Sequence, residues 1–395
     1  MKKKKSVLII AILLFSTSFL SLVPLNNATT SKRSDFGVSW WVESGSQQYL
    51  RVIATNHYHL GLQMGQQLAV QIYTFDATLK ALADMNGIPL ALVSELMKEY
   101  DKSIPEDYKS FIQGISDATG IPYYEVMFQV TWMDVYYGVL VPAAYQAAAA
   151  QLAACTAIGS DKTLGQTFDL GAIMTPTLSY VKYTLLNRRP VTVFSIWQGA
   201  STYPMGKNSR DVMIVGNLVQ NYIPGDFGTP LSIKTMMALE TSKNTDQCLD
   251  IMLSSFTGGY NYIISDRRGN GVAVQTIQYL PTNYDIEEIE TVEVRTNTYL
   301  RPDFANFLVD PTYALERQAK AEELANAEYN DNGRLSTSEI IDIMQYNDGT
   351  PATINRYPNP YNPLETATLG YISMNKHYIK FGLGLVSEDY GIIWM

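Results

Sequence analysis

The chain has 395 residues, 46% apolar and 17% charged, a balance that supports a large buried core and excludes a disordered polyelectrolyte. Its 29 lysines and arginines face 38 aspartates and glutamates, for a formal charge of -9. That acidic excess excludes the Lys/Arg footprint by which proteins hold nucleic acid.

Lys2-Lys3-Lys4-Lys5 precedes an apolar run from Ser6 to Val23, the basic and hydrophobic regions of an export signal, assigned to residues 1–28. Retention of that segment as a membrane anchor is the alternative. No second run of that kind follows, so the rest is expected to be soluble. Residues 29–154 read as mainly helical after a strand over 49–54, and His57 and His59 alternate like strand residues. Helices are predicted from 60 toward 82, over 89–100, over 107–119 with Gly120 as cap, and from Pro122 through Trp132 and Tyr136. An uncharged stretch, Ala147 to Ala154 with Gln151 inside it, then leads to Cys155.

From Cys155 the pattern turns to short β-runs at 155–158, 164–168, 191–197 and 212–217. Helices are predicted from Pro230 to Glu240 and over 245–254, then strands at 261–266, 272–277 and 290–296, a helix over 313–326, and a closing hairpin, 368–374 with 377–382. Sheets interrupted by helix pairs read as layered α+β, two sheets covered by helices in one unit without a linker.

Cys155-Thr156-Ala157-Ile158-Gly159 and Gly165-Gln166-Thr167-Phe168-Asp169 read as a hairpin with a thiol at one strand's start and a carboxylate on its neighbour. The three histidines are His57, His59 and His377, the last in a turn, and they offer a cysteine nucleophile little. There is no His-Glu-x-x-His, no zinc-spaced cysteine pair, no phosphate loop and no Gly-x-Ser-x-Gly, so neither metal nor cofactor is expected. Glu328, Asn330, Asn332, Gly333 and Glu339 fit the spacing of a calcium loop, but Ser336 to Glu339 fits a helix capping box equally well. Cys248 shares a helical face with Ile251 and Met252 and reads as core, not as a disulfide partner. If the Ala154–Cys155 bond were cut, the freed α-amine, of reference pKa about 7.7 to 8.0, would supply the base that the histidines do not.

These residues carry a resemblance. Leu60-Gly61-Leu62-Gln63-Met64-Gly65, the helix Phe111 to Ile121, Cys155-Thr156 with Gly165 to Asp169, Gly228-Thr229-Pro230, Tyr260-Asn261-Tyr262 with Asp266, Thr296 to Leu300, and Tyr313 to Arg317 occur in this order. Together they resemble the acyl-coenzyme A:6-aminopenicillanic-acid acyltransferase family of self-processing N-terminal-nucleophile (Ntn) hydrolases, peptidase family C45. Ala154, Thr298 and Met236 stand where that family commonly has Gly, His and Arg.

The resemblance implies a four-layer αββα sandwich, cut between Ala154 and Cys155 into chains 29–154 and 155–395 that remain associated as one domain. It implies Cys155 as nucleophile, Asp169 as the group orienting its freed amine, Asn261 as oxyanion donor and Arg317 as the cation beside the thiol. Asn217 is a candidate substrate contact. The residues alone leave Asp169 open as a turn cap, Asn261 as a turn residue after Gly258-Gly259, and Arg317 as a helix-surface residue. The expected activity is cleavage of a non-peptide amide (C–N) bond in a small molecule through a Cys155 thioester. A chain exported away from acyl-coenzyme A favours hydrolysis over transfer. A phospholipase-B-like or ceramidase-like hydrolase and a non-catalytic exported binding protein are the alternatives.

Overall fold

The first strands are antiparallel neighbours: β1 (Lys32–Ser34), β2 (Gly37–Ser44) and β3 (Gln47–Ala54). The computed structural model describes residues 32–34, 37–140, 154–160, 162–186, 190–278, 283–309, 312–350, 352–362 and 364–395. The signal assigned to 1–28 and the alanine-rich residues 147–153 lie outside the described residues. Among the described residues, no helix is long and apolar enough to cross a membrane.

Five helices follow: α1 (His57–Gln67), α2 (Ala69–Met85), α3 (Leu90–Asp101), α4 (Glu106–Thr119) and α5 (Tyr123–Met133), the last running into a π-helical turn, Asp134–Leu140. His57 and His59 are not strand residues. Asn56 caps α1 by accepting from His59 N at 2.9 Å, and a side-chain cap outweighs a two-residue alternation. The motif glycines let α1 and α4 cross with their backbones almost touching. A Cβ on Gly61 would meet Phe111 O at 2.0 Å, and one on Gly114 would meet Tyr58 O at 2.2 Å.

After Cys155 come β4 (Thr156–Ser160), β5 (Thr163–Gly171), β6 (Leu178–Leu185), β7 (Val191–Gln198), β8 (Ser201–Asn208) and β9 (Met213–Leu218). Helices α6 (Leu231–Thr241) and α7 (Thr245–Met252) lead to β10 (Tyr260–Ser265), β11 (Val272–Thr276), β12 (Tyr284–Glu288) and β13 (Val292–Arg295). The chain closes with α8 (Pro302–Ala305), α9 (Thr312–Asn332), α10 (Thr337–Met344), β14 (Thr366–Asn375), β15 (Tyr378–Leu383) and β16 (Gly391–Trp394).

One sheet runs β1-β2-β3-β6-β7-β8-β9-β10-β11-β12, the other β13-β4-β5-β14-β15-β16. β3 joins β6 in parallel, so the segment ahead of Cys155 and the segment after it share a sheet. β4 and β5 pack face to face on β9 and β10; α1 and α6 cover the larger sheet, α9 and α10 the smaller. The fold is a four-layer αββα sandwich. Strands caught between two layers are buried on both faces and lose alternation, which is why β6 and β8 were not evident in the sequence. β8 carries Pro204, Lys207 and Asn208, yet all of its residues are buried. Lys207 Nζ donates to Asn375 O at 2.9 Å and Lys376 O at 2.8 Å, and Asn208 Nδ2 donates to Leu239 O at 2.9 Å.

The calcium spacing is not a loop here. Glu328, Asn330 and Asn332 lie inside α9, and Ser336 and Glu339 form the capping box of α10. Cys248 and Cys155 are both free and buried. Trp132, Trp197 and Tyr137 are core residues and Tyr136 is half-buried.

The α1/α4 contact yields a graded prediction. Gly114→Ala is expected to destabilise the fold by about 3 kcal/mol, because backbone must move to admit the methyl. Gly87→Ala, at φ 68° with nothing within 4 Å, should cost only about 1 kcal/mol of left-handed strain. Urea denaturation of both variants measures the difference.

Candidate active site

Cys155 sits immediately ahead of β4, 4% exposed. Two contacts to the end of β5 fix it: Ala154 N donates to Asp169 O at 3.1 Å, and the Cys155 sulfur lies 4.0 Å from the same oxygen. Thr167 ties the hairpin together, its Oγ1 accepting from Thr156 N at 3.1 Å and donating to Asp169 Oδ2 at 3.2 Å. Asp169 is fully buried inside a strand, not at a turn, and its Oδ1 has no hydrogen-bond partner.

Arg317 comes from the first turns of α9 and is 1% exposed, so it is not a helix-surface residue. Its Nη2 donates to Cys155 O at 3.4 Å and to Asn297 Oδ1 at 2.7 Å, and its Nε is unpartnered. Arg356, in the loop ahead of β14, adds a second positive charge near Asp169.

Asn261 lies inside β10, not in the preceding turn. Its Nδ2 donates to Thr296 O at 2.9 Å and Thr298 O at 2.7 Å, which engages both amide hydrogens and leaves Oδ1 as the unpartnered atom. In this geometry Asn261 offers an acceptor, not the oxyanion donor expected from the sequence. The physical reason is that two backbone carbonyls claim the amide first. Asn217 is the residue directly opposite Asn261 on β9. It accepts from Gln166 Nε2 at 3.2 Å and donates to Arg295 O.

Gln166 is a residue whose role the sequence left unread. It reaches from β5 across the sandwich to β9, donating to Gly216 O at 2.6 Å and accepting from Gly216 N at 2.8 Å, as a side-chain copy of a strand pairing. Asn297 and Arg356 were also missed. Asn297 lies within the segment Thr296 to Leu300, whereas Arg356 carries no signal, being one residue of a Pro/Asn-rich loop.

The histidines are engaged elsewhere: His57 Nε2 pairs with Glu240 at 2.7 Å, His59 Nδ1 with Thr55 at 2.6 Å, and His377 is exposed in the last hairpin turn. Burial, then the Asp169 charge, pushes the Cys155 thiol up to about 12, against the pull of Arg317. Burial likewise drives Asp169 up to about 7, although Arg317 and Arg356 draw it down. Arg317 falls to about 10, through burial and then the like charge of Arg356, and stays cationic at neutral pH. In the uncut chain the thiol is thus protonated, beside a carboxyl whose own ionisation falls at neutrality.

No protein-family model matches the chain, and no curated protein matches it. Among solved structures, it is similar to a mutant of the conjugated bile acid hydrolase from Clostridium perfringens, at 11% identity and TM-score 0.38, covering 62% of this chain and 92% of that one. It is also similar to penicillin V acylase from Agrobacterium tumefaciens, at 12% identity and TM-score 0.38, covering 61% of this chain and 85% of that one. Scores at this level carry no chemistry across, so the chemistry of this site rests on its own residues.

Two outcomes are expected. Gln166→Leu should destabilise the fold by about 3 kcal/mol, since it strands the buried N–H and C=O of Gly216, and chemical denaturation checks it. Asp169 binds its proton more tightly in the folded chain than in the unfolded one, so its contribution to stability is lost as pH rises from about 4 to about 7. In a Cys155→Ala background, Asp169→Asn should remove that slope, at most about 4 kcal/mol between pH 4.5 and 7.5, read from urea midpoints.

Proposed function

We propose that the chain is an exported, self-cleaving amide hydrolase or acyltransferase of the Ntn type, with Cys155 as nucleophile, akin to the C45 acyltransferase family. The observation that carries this reading is a buried thiol that lacks an imidazole but has a carboxyl of raised pKa, a buried guanidinium and a fixed preceding peptide. In the uncut chain, the sulfur attacks the Ala154 carbonyl carbon as Asp169 takes its proton. The C–N bond to Cys155 breaks and the nitrogen is protonated. Water then releases the Ala154 carboxylate and returns the thiol.

The product carries its own base. The new ammonium brings three N–H donors to a site where Asp169 Oδ1 and Asn261 Oδ1 are unpartnered acceptors. Asn261 is linked to Cys155 through the segment 296–298, where Asn297 holds Arg317 and Arg317 holds Cys155 O. We therefore assign Asn261 to hold the amine. In its neutral form the amine draws the proton from sulfur, the thiolate attacks a substrate amide, and the ammonium protonates the departing amine. Water then resolves the thioester. The substrate class is a small-molecule amide, processed without a cofactor by chains that remain associated, and the segment 1–28 directs the chain out of the cytoplasm.

Intact-mass measurement of the wild type should give two fragments, the larger beginning at Cys155, whereas Cys155→Ala should stay uncut. An uncut wild type would sink the proposal. Iodoacetamide at neutral pH should alkylate the cut form at Cys155 and leave an uncut Asp169→Asn chain at least tenfold slower to react.

A further inference from the structure

Tyr137 is 3% exposed and its hydroxyl has no hydrogen-bond partner, although a buried phenol ordinarily finds one. It lies on the π-helical turn 134–140, an irregularity that proteins keep mostly at functional sites. The turn is pinned on both sides of Tyr137. Asp134 accepts from Leu231 N at 3.2 Å, Thr257 Oγ1 at 2.5 Å and Tyr260 Oη at 3.1 Å. Gly138 O accepts from Gly225 N at 2.7 Å, and Gly138 is pressed so close that a Cβ would meet Thr257 O at 2.0 Å.

This anchoring falls just ahead of the segment that ends at the cut, so cleavage would leave Tyr137 in place. Its ring belongs to an aromatic chain that reaches the nucleophile's hairpin. Tyr137 and Trp132 have ring centroids 6.0 Å apart, Trp132 donates to the Tyr203 hydroxyl, and Tyr203 lies 4.7 Å from Phe168, the residue before Asp169. Burial holds the Tyr137 hydroxyl's pKa well up, and the Cys155 sulfur adds to that after Tyr136 and Tyr203. Tyr262 makes a contrast: its hydroxyl is equally buried and unpartnered, but burial, Asp134 and Tyr299 act on it ahead of any sulfur, and that sulfur is Cys248.

An acyl shift needs donors for the oxygen that becomes negative, and Asn261 has none to give. We propose that the Tyr137 hydroxyl, carried by the chain ahead of the cut, donates the hydrogen bond that stabilises the Ala154 carbonyl oxygen as Cys155 attacks it. This rests on the self-cleavage reading above. The phenol keeps its proton throughout; the balance of bonds is that of the acyl shift already described.

The test follows cutting of freshly translated full-length chain by intact mass, for wild type, Tyr137→Phe and Tyr262→Phe. Loss of one such donor is expected to slow Tyr137→Phe by about 10²- to 10³-fold, with Tyr262→Phe near the wild-type rate and thermal melts alike. A Tyr137→Phe chain cut within threefold of wild type, or equal slowing in both variants, overturns the role of Tyr137 and leaves self-cleavage standing. An uncut wild type overturns both. Should Tyr137→Phe fail to fold, 3,5-difluorotyrosine at position 137 keeps the shape and acidifies the phenol: faster cutting supports the donor, and an unchanged rate overturns it.

Discussion

The paired hydrogen bonds between the Gln166 amide and the Gly216 peptide join the two sheets at the point where the candidate chemistry lies. A β-sandwich is held mainly by apolar burial, which is strong but without direction. Hydrogen bonds have direction, so this pair sets the register of β5 against β9, and with it that of Cys155 and Asp169 against Asn217 and Asn261. Gln166 also donates to Asn217 and helps lower the Cys155 thiol pKa. One amide therefore serves as an inter-sheet bolt and as part of the site.

Around that bolt the interior holds more polar capacity than it satisfies. Asp169 Oδ1, Asn261 Oδ1 and Arg317 Nε are buried without partners. Each such atom costs about 1–3 kcal/mol in a finished core, so three in one place call for a reason. Two of the three are acceptors. A cation with several N–H donors suits them, and cutting before Cys155 would create one without any other change in sequence. The same surroundings, burial first, keep the Cys155 thiol protonated at neutral pH.

Much of the layered architecture was legible because the relevant signals are local. Gly120 ends α4 with φ 74°, Ser336 and Glu339 start α10, and Asn375 to His377 turn the last hairpin, each within a few residues of chain. β6 and β8 were not legible, since burial on both faces removes the alternation that marks a strand. The histidine pair was misread because two residues fit a period of two as readily as the start of a helix, and Asn56 decided between them.

By itself the sequence determined the chemical inventory: a thiol heading a hairpin, a carboxylate on the next strand, three histidines in no useful arrangement, and a small, uncharged approach to Cys155. The tertiary structure decided what each group faces. It turned Asn261 from donor to acceptor by setting its amide against two carbonyls, made Gln166 a cross-sheet partner of Gly216, and brought Arg356 toward Asp169. Those outcomes depend on residues tens to hundreds of positions apart. A side chain's hydrogen bonds and pKa are fixed by the atoms within a few ångströms of it, and sequence order does not specify which distant atoms those are.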